Sequence, residues 1–213
     1  MTATQPVHIR RRCGRILMLM ALACAAGVVN AQVSPHLSLN AQLLVGARQS
    51  DLALVDRVLA KGAAPNARNR FGKTALLLGS EKGNMPLAQR MLDAGADVNL
   101  ASLEGVTPLM AACYGGHTEL VRRLLAKGAR TDPLDRMHKP AVIYAAAQGH
   151  ADAIEALLDA GVDVNAVYEN QLSVLMWAAG QGHTEVVQRL LKRGARIDAR
   201  DNRGLSAQDM ARR

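Results

Sequence analysis

Five glycine-led pairs recur along this chain at an interval of 33 residues: Gly62-Ala63, Gly95-Ala96, Gly128-Ala129, Gly161-Val162 and Gly194-Ala195. The interval never slips. Asn66, Asn99, Asp132, Asn165 and Asp198 follow at the same spacing, and Gly83-Asn84, Gly116-His117, Gly149-His150 and Gly182-His183 mark a second point in each unit. A fixed period of this length argues for a stack of small supersecondary units, each burying its apolar face against the next, rather than for a globule built around one centre.

The third unit shows how one repeat folds. Thr107 is a helix N-cap whose hydroxyl accepts from an orphan N–H, and Pro108 sits at the first helical position, where it costs no hydrogen bond. A short helix to about Tyr114 ends at Gly115-Gly116, and a second, from about Thr118 to Lys127, places Leu120, Val121, Leu124 and Leu125 on one face. Gly128 stops it, because a left-handed C-terminal residue costs other L-residues about 1–2 kcal/mol. Isolated helices below about 12–15 residues are marginal in water, so these need neighbours. The pairs Val58-Leu59, Met91-Leu92, Leu124-Leu125, Leu157-Leu158 and Leu190-Leu191 are expected to form the seam between units.

The run Glu104-Gly105-Val106-Thr107-Pro108-Leu109-Met110-Ala111-Ala112, followed by Gly116-His117, Leu120-Val121, Leu124-Leu125 and Gly128-Ala129, resembles the ankyrin repeat. The resemblance covers roughly residues 37–213 and departs from the family pattern at Leu77, Met110, Ile143 and Met176, where His is usual, and at Pro140 and Ser173, where Thr is usual. It implies an all-α solenoid of stacked helix-turn-helix units joined by β-hairpin-like turns. The expected units are approximately 37–68, 69–101, 102–134, 135–167 and 168–200, with a half unit at 201–213. The outer units are atypical, as a stack requires: Ser50-Asp51 replaces Gly-His in the first, and the last stops after about one helix.

Composition bears on where such a stack works. The chain carries a net charge of +8, but Arg10, Arg11, Arg12 and Arg15 fall in the first 31 residues with no acidic residue among them, leaving 22 basic against 18 acidic groups beyond. That balance is ordinary and does not call for nucleic acid. The basic run, the apolar stretch Ile16–Val29 and the small-residue end Val29-Asn30-Ala31 read as a secretory leader, residues 1–31, with Gln32 as the mature N-terminus. The apolar stretch is about 14 residues, short of the roughly 17–25 that span a bilayer, so no membrane span is expected after cleavage. Arg11-Arg12 lacks the following apolar residue of a twin-arginine signal, and Ala21-Leu22-Ala23 before Cys24 fits lipidation poorly. The expected location is periplasmic or secreted. Cys13 and Cys24 would leave with the leader, so Cys113 has no bridging partner.

No catalytic, cofactor or metal site is expected. His117, His150 and His183 recur once per unit, yet packed helices lie roughly 8–10 Å apart, too far for one ion with bonds of about 2 Å; each is read as ordering its turn. Cys113 stands where Ala146 and Ala179 stand later, a small core position rather than a reactive thiol. Basic residues such as Arg122, Arg123, Lys127 and Arg130 lie near helix C-termini, where they complement the dipole. Trp177, inside a first helix, is expected in the core.

The resemblance implies protein binding through the turn tips and the adjoining ends of the first helices. Those positions are Arg70, Phe71, Lys73, Glu81 and Lys82; Leu103, Glu104, Val106, Tyr114 and Gly115; Arg136, Met137, Lys139 and Gln148; and Glu169, Asn170, Leu172 and Gln181. Apolar residues at such turns, with a charged rim, suit an interface, although some could instead cover the neighbouring turn. Phe71 and Tyr114 are the expected anchors. The functional expectation is an exported module, monomeric alone, that serves another periplasmic or secreted protein as scaffold, inhibitor or protective partner. A secreted effector that engages a host protein is the alternative within binding, and a metal- or redox-dependent enzyme the alternative of another class.

Overall fold

The computed structural model describes residues 37–212, so the expected leader at residues 1–31 lies outside the described residues. Eleven α-helices and one 3-10 turn follow: α1 Leu39–Gln49, α2 Leu52–Ala60, α3 Ala75–Glu81, α4 Met85–Asp93, α5 Pro108–Tyr114, α6 Thr118–Ala126, α7 Ala141–Ala147, α8 Ala151–Asp159, the turn Glu169–Gln171, α9 Val174–Gly180, α10 Thr184–Lys192 and α11 Ala207–Ala211. No described helix is long and apolar enough to cross a membrane.

Local chemistry sets the helix ends. Thr74, Thr107, Ser173 and Ser206 each accept an N–H three residues on, at 3.2 Å. Pro140 has no such oxygen, and α7 starts without a side-chain cap. Asp51 and Asn84 cap α2 and α4 in the same way, at 2.9 and 3.0 Å. The histidines that hold this place in later units make no local cap.

The helices pack in two rows. The odd-numbered helices follow one another from α1 through α3, α5, α7 and α9 to α11, each against the next; among the even-numbered ones α2 packs on α4, α6 on α8 and α8 on α10. Leu77, Met110, Ile143 and Met176, the residues in place of the family's His, are all buried, and they extend the aliphatic core. Of the expected seam pairs only the first members, Val58, Met91, Leu124, Leu157 and Leu190, are uniformly buried. Leu59, Leu92 and Leu125 are half-buried, because one step along a helix turns a side chain about 100° away from the contact, whereas Leu158 is buried and Leu191 exposed.

Polar contacts fix the register between units. His150 and His183 each place Nε2 3.0 Å from a carbonyl of the preceding unit, that of Tyr114 and of Ala147. Their rings, and that of His117, lie against Gly116, Gly149 and Gly83 so closely that a Cβ there would meet the ring at 2.4–2.6 Å. On the opposite side, Asn66, Asn99 and Asn165 each accept the N–H of Asp97, Arg130 and Arg196 at 2.8 Å. Asp132 occupies the equivalent place but pairs with Arg130 of its own unit at 2.6 Å. That exchange removes one tie between the third and fourth units.

Gly116→Ala and Gly182→Ala both put an L-residue at left-handed φ, +67° and +75°, at a cost of about 1–2 kcal/mol each. At 116 the new Cβ also strikes the His150 ring, whereas at 182 it meets nothing within 4 Å. Gly116→Ala should therefore lose about 1–3 kcal/mol more in urea unfolding; equal losses would show that the ring is not seated there.

Candidate protein-binding surface

Each turn that leads into a first helix closes on itself. The N–H of Asn69, Ser102, Asp135, Tyr168 and Asp201 donates to the carbonyl four residues on, at 2.9–3.2 Å. Asn69, Asp135 and Asp201 also accept two N–H groups from inside their turns, at 2.8–3.0 Å. Burial pulls the Asp201 carboxyl upward, but the N–H groups of Leu205 and Arg203 and the Arg203 guanidinium outweigh it and hold it below the usual carboxylate range. Turns braced in this way point their central residues outward.

Phe71, Leu103 and Met137 are exposed at those tips, as is Tyr114 at the end of α5. Arg70 lies over the Phe71 ring at 4.7 Å. Arg136 and Glu104 pair across adjacent turns at 3.0 Å, and Lys73 pairs with Glu81 at 2.6 Å. Glu169, Asn170, Gln148 and Gln181 are exposed, while Val106, Lys139 and Leu172 are half-buried. Of the last three, Leu172 and Lys139 line a hollow beneath the fourth and fifth turns.

Trp177 borders that hollow and is half-buried, which corrects its expected place in the core. The Lys139 ammonium sits over its ring, 5.0 Å from the centroid, and pairs with no acidic residue among the described residues. Tyr144, one period earlier, meets Tyr114 edge to face with ring centroids 6.0 Å apart, and its hydroxyl donates to Asp135. Burial, then Asp135 beside it, holds the Tyr144 hydroxyl well above its ordinary range, so it stays a donor. Sequence reasoning passed over Tyr144. The signal was present: the position reads Leu78, Ala111, Tyr144, Trp177 along the period, and neither ring fits the small space that Ala111 occupies.

None of the five aromatic residues of this chain is buried, and all lie on turns or first helices. Rings are ordinarily the largest contributors to a core. Here the core is aliphatic, and the rings sit on the turns and first helices.

The family model for ankyrin repeats in sets of three matches residues 43–135, 79–168 and 131–201. The chain belongs to the ankyrin-repeat family. No curated protein matches it. Ankyrin repeats are protein–protein interaction modules, and in this one the fourth unit departs most from the regular ankyrin arrangement. Adjacent turns are linked by N–H···O bonds from Leu103 to Phe71, Arg136 to Glu104 and Asn202 to Asn170, each 3.0 Å, but no such bond joins Glu169 to Met137. His138 and Gln171 stand at left-handed φ, 54° and 61°, where Gly72, Gly105 and Gly204 stand in the other turns. Together with Pro140, which supplies no side-chain cap, these residues leave the fourth turn with fewer ties than its neighbours.

The groups that suggested chemistry have structural work. His150 and His183 spend a ring nitrogen on the neighbouring unit. Cys113 is fully buried, and burial pushes its thiol far above the range in which a thiolate forms.

Replacing His138 by Gly should raise the urea midpoint. Relief of about 1–2 kcal/mol of left-handed strain exceeds the roughly 0.5–1 kcal/mol entropic cost of glycine. A lower midpoint would mean that residue 138 is not held at positive φ in solution.

Proposed function

We propose that this ankyrin-repeat protein is exported and binds another periplasmic or secreted protein, as scaffold, inhibitor or protective partner, and that it catalyses nothing. The observation that carries the reading is the placement of the rings. Phe71, Tyr114, Tyr144, Tyr168 and Trp177 are withheld from an aliphatic core and set on the turns and first helices. Exposed and half-buried aromatic residues beside aliphatic tips and partly paired charges have the composition of a protein interface, where Trp, Tyr and Arg dominate the energy. The basic-then-apolar leader supports export.

On this reading Arg70, Phe71, Lys73, Leu103, Glu104, Val106, Tyr114, Arg136, Met137, Lys139, Gln148, Glu169, Asn170, Leu172 and Gln181 contribute the surface. Phe71 and Tyr114, both exposed, are its anchors, and Trp177 adds a half-buried ring towards the other end.

Tagged chain produced with its leader should be recovered from the periplasmic fraction beginning at Gln32, together with a partner in stoichiometric amount. Phe71→Ala with Tyr114→Ala, both at exposed positions, should weaken that partner by at least 1–2 kcal/mol, about 5- to 30-fold, with thermal unfolding little changed. Unprocessed chain confined to the cytoplasm would refute export. Undiminished affinity of the double variant would refute the surface.

A further inference from the structure

The period supplies an internal template for what covers each second helix, and α10 lacks that cover. The face that α6 and α8 turn to the next unit is packed by α8 and α10 in turn, whereas no described helix occupies the same place over α10. The consequences appear residue by residue. Val55, Ala88, Val121 and Ile154 are each 0% exposed, but Val187, their equivalent, is half-buried. Leu191 is 39% exposed against 7% for Leu158, and Ile197 is 58% exposed against 9% for Val98. Gly182 meets open space where Gly83, Gly116 and Gly149 each meet a histidine ring. With Leu175, Ala179 and Ala207 these residues line an apolar groove of about 400 Å³ between α10 and α11.

We propose that this groove is a second binding site, separate from the turn surface, and that it takes an amphipathic helix of another protein in the register of a repeat's second helix. The interface it continues is the one already made between successive units. The guest needs aliphatic side chains at helical spacing over Val187 and Leu191, and a histidine at its N-cap to lie on Gly182 and reach the Gly180 carbonyl, as His183 lies on Gly149 and reaches that of Ala147.

Charge then selects among such helices. In the preceding interface Arg193 meets Asp159 at 2.8 Å and Arg189 meets Asp152 at 2.6 Å. One period on, Asp152 becomes Glu185, but Asp159 becomes Lys192, which has no acidic partner among the described residues. A guest built like α10 would set its second arginine against Lys192. The guest is therefore a helix with a carboxylate at that position; a second copy stacking in repeat register would present α2, which sets Lys61 there against Lys192 and is disfavoured.

The test uses two synthetic peptides with the sequence of residues 183–196, one unaltered and one carrying Arg193→Glu, titrated into the isotope-labelled full chain. The altered peptide should give saturable shifts at Gly182, Val187, Leu191 and Ile197, with an affinity at least tenfold above that of the unaltered one. Leu191→Glu in the protein should abolish both, and Ile197→Lys provides the same test should that variant fail to fold. Binding of the partner at the turn surface should survive either change, which separates failure of this site from failure of that one. No saturable shift, equal affinity for both peptides, or a dimer in light scattering that Leu191→Glu converts to monomer would overturn the proposal.

Discussion

Burial of aliphatic side chains between consecutive units is the interaction on which everything else in this protein depends. A helix of seven residues such as α5, or nine such as α6, has too few internal hydrogen bonds to offset the entropy of ordering it. Packed in two rows, each buried leucine or valine contributes roughly 1.5–3 kcal/mol before that entropy opposes it. The contacts are local, so stability passes from neighbour to neighbour. A defect at one junction weakens that junction and leaves the rest of the row standing.

Polar groups in such a stack specify more than they stabilise. Non-directional aliphatic contact would allow neighbouring units to slide. The histidine rings seated on glycines and the asparagines that accept the next unit's N–H allow one register only. The His–Gly pairing explains why two unrelated residue types share the period: the glycine serves its own turn through positive φ and the neighbour's histidine through its missing Cβ. Where the pattern breaks, at Asp132, His138, Pro140 and Gln171, several local rules fail within one unit and its borders. Left-handed strain of that kind persists only where surrounding structure over-determines it.

Most of the fold is legible in the amino-acid sequence because the period repeats the evidence. Thr107, Gly116 and Gly128 define a cap, a break and a stop in one unit, and the same positions elsewhere repeat the statement. What escapes is whatever depends on direction around a short helix. Trp177 looks like core because it lies inside α9, yet at that position of the period Leu78 and Ala111 are covered and the larger rings of Tyr144 and Trp177 emerge. Leu191 looks like seam because it follows Leu190, yet its side chain lies on the side where no described helix packs against α10. Val106 and Leu172 look like free tips and prove half-covered, since their burial is decided by the adjacent turn.

The same logic explains how a chain with so few rings could bind selectively. A regular stack is expensive to modify inside, since an enlarged core residue must be matched by the unit on either side, and overpacking costs about 1–3 kcal/mol. Substitutions on the turns and on the open side of the first helices meet no such constraint, so recognition can vary there without disturbing the register. Aromatic residues suit that role because a rigid ring brings much contact area for little conformational entropy. An aliphatic interior and an aromatic face are thus two results of one cause: the period restricts the inside to side chains that every unit can share, and leaves the larger ones to the surface that no other unit covers.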